Sequence, residues 1–293
     1  MFNFNLSSVF YLIPLYFLVI SPLLRQLFPN DSVYSPDNAA YDDEAEDEDT
    51  SLSLNPDVLS LDDGTPITCD TGSDSYRVHI LAQSPLVIYI EDFLSDSEAD
   101  HLVNISVPNY TPSTLYSSSE DALNPKTDTT KRLSDRALLP RDYIVRCIEH
   151  RARSFQGWKP NLFIERMWAQ RYNVSGHYTH HYDWAGTARG RGGDRISTFM
   201  VYLGAECKGG GTNFPLLRKP KDRRWCAFVD CEEEREGGVT FRPIKGNAVF
   251  WENLRPDGSG WPETWHGAFP VEEGVKVGLN IWSWYQPAKG RWR

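Results

Sequence analysis

The stretch GHYTHHYDWAG, residues 176–186, holds three histidines and an aspartate within seven positions: His177, His180, His181 and Asp183. Its secondary structure decides which of them act together. On a helix, His177 and His181 share a face at i,i+4, as in zinc proteases. That motif needs Glu directly after the first histidine, and Tyr178 stands there. Gly176, Thr179, Gly186 and the tyrosines at 172, 178 and 182 also oppose a helix. On a strand, alternate residues share a face. His181 then points with Asp183, and His180 with Tyr182.

His-x-Asp on a strand supplies two ligands of the 2-His-1-carboxylate triad, which holds iron(II) and leaves coordination positions open. A third ligand must come from elsewhere. The other histidines are His79, His101, His150 and His266. His101 and His150 fall on expected helices, where surface roles are the default. His266 lies between strands in ETWHGAFPVEEGVKVGLNIW and is the expected third ligand. In the strand that follows, Lys276, Gly278, Asn280, Trp282 and Trp284 share one face, and Val275, Val277, Leu279 and Ile281 the other. A lysine facing a barrel interior needs an anionic partner, and a dicarboxylate cosubstrate is one.

The surrounding chain predicts a mainly β fold with flanking helices. LVIYI (86–90) reads as a strand. SDSEADHLVNI opens with Ser95 and Glu98 at capping-box spacing and predicts a helix. RDYIVRCIEHRARSF (141–155) predicts a second, with Tyr143, Ile144, Cys147 and Ile148 as its apolar stripe. After Phe163, RISTFMVYLG, GVTFRPI, GNAVFWEN and GVKVGLNIWSWYQP are β-branched or aromatic runs bounded by turn residues. This order suggests a sheet sandwich or jelly roll backed by helices.

The formal charge of -10 is unevenly placed. Residues 1–75 hold one basic and 14 acidic residues, leaving 29 basic against 26 acidic in the remainder. Three regions are expected: a hydrophobic membrane anchor or signal segment over 1–28, an acidic stalk over 29–75, and a catalytic domain over 76–293. Leu6–Leu24 is apolar, close to the roughly 20 residues that span a bilayer. The run Asp42–Asp49 reads as a solvated linker. No basic face or stacking motif for nucleic acid stands out. Five cysteines without a C-x-x-C, with sequons at Asn104, Asn109 and Asn173, suit the secretory pathway. One of Cys207, Cys226 and Cys231 is expected to pair with Cys69 or Cys147, or to stay free.

These residues resemble the prolyl 4-hydroxylase family of iron(II)- and 2-oxoglutarate-dependent dioxygenases over about residues 85–286. The family's Tyr-x-x-Gly-x-x-Tyr-x-x-His-x-Asp run is similar to Tyr172–Asp183, with Gly176 one place late. Its Arg-x-x-Thr-x-x-x-Tyr-Leu strand resembles Arg195, Thr198, Tyr202 and Leu203. Its Gly-Gly-x-Thr-x-Phe-Pro loop resembles Gly209–Pro215, with Gly211 where Glu is common. Its Lys-Gly-Asn-Ala strand start resembles Lys245–Ala248. Its His-x-x-x-Pro-Val-x-x-Gly-x-Lys segment matches His266, Pro270, Val271, Gly274 and Lys276.

The resemblance implies a double-stranded β-helix, or jelly roll. It implies His181, Asp183 and His266 as iron ligands, with Lys276 on the distal carboxylate of 2-oxoglutarate, assisted by Tyr172 and Thr198. Trp282 and Tyr178 are expected to wall the site, and the insertion Arg223–Gly238 to lie near its entrance. The implied cofactors are Fe(II), 2-oxoglutarate and L-ascorbate, with dioxygen consumed. The implied substrate is a proline-containing polypeptide, and the implied location is the endoplasmic reticulum lumen behind a membrane anchor. Two other readings are hydroxylation of a small molecule, and a non-catalytic binding module that keeps the fold.

Overall fold

The computed structural model describes residues 54–69, 75–114, 127–187, 193–232 and 237–286. In chain order its strands are β1 (Arg77–Gln83), β2 (Leu86–Glu91), β3 (Thr111–Pro112), β4 (Arg132–Leu133), β5 (Asp135–Leu138), β6 (Leu162–Ile164) and β7 (Trp168–Tyr172). There follow β8 (His177–His181), β9 (Asp194–Gly209), β10 (Thr212–Phe214), β11 (Val239–Phe241), β12 (Ala248–Glu252), β13 (His266–Ala268) and β14 (Val271–Tyr285). Among the described residues the α-helices are α1 (Asp96–Ser106) and α2 (Tyr143–Phe155).

One sheet runs β1-β2-β12-β9-β14-β7-β5-β3, with β6 also paired to β14. The second runs β11-β10-β13-β8-β4. Helices back the first sheet, and the fold is the expected jelly roll. The alternation along β14 explains the layering. Val277, Leu279 and Ile281 are buried in one core with Leu102 of α1 and Val145 and Ile148 of α2. Asn280 and Trp282 face the other way, into a cavity that residues following β8 also line.

Both expected helices form. At the start of α1, Ser95 Oγ accepts from Glu98 N and Glu98 Oε2 accepts from Ser95 N, a closed capping box. Arg151 of α2 donates to both oxygens of Glu98, at 2.8 and 3.1 Å, so the cap also ties the helices together. Of the expected stripe of α2, Cys147 and Ile148 are buried and Ile144 packs on the core, but Tyr143 is 54% exposed and donates to Thr68 O, while Val145 and Ala152 are also buried. Cys147 is held by a disulfide to Cys69, which turns that side of the helix toward residues 54–69.

That segment corrects the expected domain boundary. Composition assigns 29–75 to a stalk, yet Leu59 is buried, Ser60 N donates to Ile164 O, and Arg166 N donates to Val58 O. Residues 54–60 therefore extend the fold beside β6, and residues 29–53 and 70–74 of the expected stalk lie outside the described residues. The second correction concerns the insertion Arg223–Gly238. Its Trp225 and Phe228 pack on His79 of β1, and Phe228 stacks on Tyr89 of β2. None of its described residues lines the site cavity. Cys226 pairs with Cys231 and Cys207 is free. No helix among the described residues is long and apolar enough to cross a membrane, and the apolar run Leu6–Leu24 lies outside those residues.

The Cys69–Cys147 bridge spans a sequence separation of 78 residues and Cys226–Cys231 one of 5. Closing a long loop constrains the unfolded chain more. Cys69→Ser with Cys147→Ser should lower the unfolding free energy by about 2–4 kcal/mol. Removing the short bridge should cost less. Guanidinium unfolding without reductant measures both, and equal losses would contradict the loop-closure account.

Candidate metal centre and active site

His181 ends β8 and His266 begins β13, and they are partners in the antiparallel register. Their ring centroids are 4.4 Å apart. β8 stops at His181, so Asp183 sits in the bend just past the strand rather than on it. It still turns to the same side. Its Oδ1 is 3.6 Å from His181 Nε2, and its Oδ2 is 3.8 Å from His266 Nε2. One ligand atom from each of the three lies within 4.8 Å of the others, the one such cluster among the described residues.

The histidine tautomers follow from their partners. Nδ1 of His181 is 2.9 Å from Thr179 O, and Nδ1 of His266 is 2.9 Å from Thr264 O. A carbonyl only accepts, so each Nδ1 carries the hydrogen and each Nε2 keeps a lone pair toward Asp183. Burial, reinforced by His181, pushes His266 down to about 4, so its imidazole is neutral at neutral pH. Burial works against the charge on Asp183, but His266 and His181 outweigh it and hold the carboxyl well below its usual range. The donor set is therefore two imidazole Nε2 atoms and a carboxylate, suited to a divalent ion with open positions.

The remaining histidines have other partners. His180 Nε2 is 2.9 Å from Asn213 Oδ1. His79 meets Glu91 and His101 meets Asp142, each at 2.6 Å, and His150 packs edge-on against Trp158. His177 contacts the carbonyls of Ser175 and Thr130.

Thr198 was expected beside 2-oxoglutarate. The structure places it behind the triad, where its hydroxyl donates to Asp183 Oδ2 at 2.9 Å and accepts from Asn253 Nδ2 at 2.9 Å. Asn253 is in turn held by Trp251 Nε1 at 2.8 Å. This buried chain fixes the carboxylate from β9 and β12, across from the histidine-bearing sheet. Sequence reading missed Asn253, because a lone Asn after a strand reads as an ordinary turn residue.

Lys276 is fully buried. Its Nζ donates to Gly210 O at 2.6 Å and lies 5.3 and 5.6 Å from the ring centroids of Tyr172 and Tyr202. No carboxylate is within ion-pair distance of it among the described residues. Burial lowers its pKa to about 8, with Cys207 opposing the shift. Gly210 has φ +67°, and a Cβ there would stand 3.2 Å from Lys276 Cδ, so glycine suits the position on both counts. A buried ammonium with one carbonyl acceptor fits an anion that arrives from solvent.

Trp282 and Tyr178 line a cavity of about 720 Å³ together with His181 and Asp183. The indole N–H of Trp282 is buried without a partner, and Arg195 lies 3.8 Å over its ring. Arg195 is fixed by Glu165 at 2.7 and 2.8 Å. Tyr172 is buried and lies opposite Lys276 across β7 and β14.

The 2OG-Fe(II) oxygenase superfamily model matches residues 167–284. Prolyl 4-hydroxylase 5 of Arabidopsis thaliana is 29% identical over 73% of this chain and 73% of its own length. Prolyl 4-hydroxylase subunit alpha-1 of Caenorhabditis elegans is 28% identical over 70% of this chain, but the match spans only 34% of that longer protein. Among solved structures, the viral collagen prolyl hydroxylase of Paramecium Bursaria Chlorella virus-1, in its 2OG complex, is 26% identical with a TM-score of 0.50. That likeness covers 68% of this chain and 96% of the viral one. The triad, the jelly roll and these relatives together support the prolyl 4-hydroxylase family of 2OG-Fe(II) oxygenases as the family this chain resembles.

Proposed function

We propose that this protein hydroxylates proline residues in polypeptides, with Fe(II) and 2-oxoglutarate, and with L-ascorbate as the supporting reductant. The observation that carries this is the pairing of the His181–Asp183–His266 cluster with a buried, carboxylate-free Lys276, in a chain whose relatives are prolyl 4-hydroxylases. When bound, the metal and cosubstrate supply oxidation of a C–H bond by dioxygen, coupled to decarboxylation of 2-oxoglutarate to succinate.

The chain's own residues do the rest. The two Nε2 atoms and the Asp183 carboxylate hold the ion from one side. Thr198 and Asn253 keep that carboxylate from rotating. Lys276, with Tyr172 beside it, takes the far carboxylate of 2-oxoglutarate. Trp282 and Tyr178 form apolar walls that exclude water and position the proline ring. A complete ligand set argues against a non-catalytic module. We place the catalytic domain in the endoplasmic reticulum lumen behind an N-terminal anchor. Two disulfides and the exposed sequon asparagines Asn104, Asn109 and Asn173 support that reading. An endoglycosidase-insensitive protein, digested by protease in intact microsomes, would count against it.

Mass spectrometry of proline-rich peptides incubated with the protein, Fe(II), ascorbate and 2-oxoglutarate should show a gain of one oxygen on proline, and succinate release without peptide oxidation would sink the assignment. His181→Ala, Asp183→Ala or His266→Ala should abolish metal binding and turnover, while His180→Ala retains the metal. Thr198→Val should weaken metal binding by about 10–100-fold, as loss of a supporting hydrogen bond does elsewhere. Metal titration reads each variant, and a His180→Ala protein that loses the ion while His181→Ala keeps it would reverse the strand register.

Lys276→Ala should weaken 2-oxoglutarate about ten- to a hundred-fold with metal affinity nearly unchanged, since a charge-assisted hydrogen bond is worth roughly 1.5–3 kcal/mol. The sign of the pH effect follows. Only protonated Lys276 binds the carboxylate, and burial sets its pKa to about 8 in the ligand-free protein. Binding of 2-oxoglutarate should therefore weaken as pH rises above about 8, with proton uptake on binding. Calorimetry in two buffers of different ionisation enthalpy tests this, and a pH-independent affinity from 7 to 9.5 would exclude the lysine as the anchor.

A further inference from the structure

Beyond His181 and Asp183, the cavity has a wall built from β4, β5 and β7. Arg132 of β4 lies 4.5 Å over the Tyr178 ring, whose other face is covered by His181, stacked at 3.7 Å. Arg136 of β5 lies 4.7 Å over Trp168. Arg166, half-buried between β6 and β7, completes the set. Only one ring therefore separates the Arg132 guanidinium from a residue of the metal centre.

The cavity also contains carboxylates, but each is accounted for. Glu165 is committed to Arg195. Asp194 accepts from the backbone N–H groups of Ala185, Thr187 and Arg195 at 3.0, 2.7 and 2.8 Å. Asp183 belongs to the triad. Asp57 is exposed at the rim. Among the described residues, none of the four is within ion-pair distance of Arg132 or Arg166. Arg132 Nε instead donates to Ser134 Oγ at 3.1 Å. Arg132 also hydrogen-bonds the Tyr172 side chain, and a guanidinium stacked on a ring is held in plane with its remaining edge donors available to a carboxylate.

We propose that this wall selects polypeptides bearing Asp or Glu beside the oxidised proline, with the acidic side chain docking on Arg132 and Arg166. The inference rests on the peptidyl-proline reading and adds its sequence preference. At roughly 3.3 Å per extended residue, a carboxylate one ring away from the metal centre belongs to a residue about one to three positions from the target. The chain's own Asp57, directly after Pro56, lines the mouth of the same cavity, outside ion-pair distance of both arginines.

The test uses labelled peptides of one length with one central proline, flanked by Asp, Ser or Lys. The full chain is titrated by fluorescence anisotropy at saturating 2-oxoglutarate without dioxygen, and hydroxyproline is scored separately under turnover conditions. The Asp peptide should bind about ten-fold or more tighter than the Lys peptide. That advantage should shrink as salt rises from about 50 to about 500 mM. Arg132→Gln combined with Arg166→Gln should bring the two affinities within about two-fold, whereas Arg224→Gln, on the exposed turn Arg223–Ala227, should leave the ratio intact. Arg132→Lys, which keeps charge and packing length but not the planar fork, should retain part of the preference. Equal affinities in the unaltered protein overturn the proposal, as does an advantage that survives the double variant. Asp preference in binding with no hydroxyproline formed overturns the prolyl assignment and leaves the arginine wall standing. Hydroxyproline formed equally on all three peptides, without binding preference, does the reverse.

Discussion

The structure depends on one register: His181 opposite His266 across β8 and β13. A strand's side chains repeat every two residues, so slipping either strand by one would send a ligand to the wrong face. The pairing itself is short, since β13 has three residues. Its stability is borrowed from what brackets it. β10 lies on one side of β13, and Phe214 and Trp251 enclose His266 at ring distances of 5.2 and 4.8 Å. Asp183 then links the short-stranded sheet to the long one through Thr198. The metal centre is thereby also the seam where the two layers meet.

Burying Lys276 imposes a second constraint, of opposite character. The fold places an ammonium at zero exposure with a single carbonyl to receive it. In an apolar setting that arrangement is unfavourable until an anion enters. A ligand that binds the folded state alone stabilises it by mass action, so the 2-oxoglutarate proposed for this site would relieve a defect of the empty protein. The triad makes no such demand. Its two imidazoles are already hydrogen-bonded through Nδ1 to backbone carbonyls, so the side chains are arranged before an ion arrives.

Much of this was legible in the sequence because it rests on period-two patterning. Alternation across residues 275–284 separates core from cavity, and His-x-Asp selects the strand reading over the helical one. The elements that escaped share a different physical basis. Strand β1 is an edge strand with Val78 and Ile80 exposed, so its pattern does not separate a buried face. Within α2, Tyr143 turns out and Val145 in, because a disulfide and the buried Arg151–Glu98 pair also orient the helix, and neither follows from apolar spacing. Residues 54–69 look like a stalk by composition, yet three backbone and side-chain anchors hold them: Ser60 to Ile164, Val58 to Arg166, and Cys69 to Cys147. Thr198 was found as a residue of the site but given the wrong neighbour. A motif position states that a side chain faces inward, and only the fold states which inward group it meets.

The two sides of the cavity also differ in how they are held. The ligand side is fixed by backbone: each histidine is tethered to a carbonyl two residues away, and Asp183 to a buried side-chain chain. Shifting any of these moves a strand. The arginine side is fixed by stacking, with guanidinium groups over Tyr178 and Trp168 on strands at the periphery of their sheets. Replacing one such side chain alters the charge presented to a substrate without changing a strand register. A fold organised in this way couples the selecting wall to the reacting centre at named points, the Tyr178 ring, the β4–β8 pairing and the Arg132–Tyr172 contact, while the metal-ligating side chains keep their own tethers.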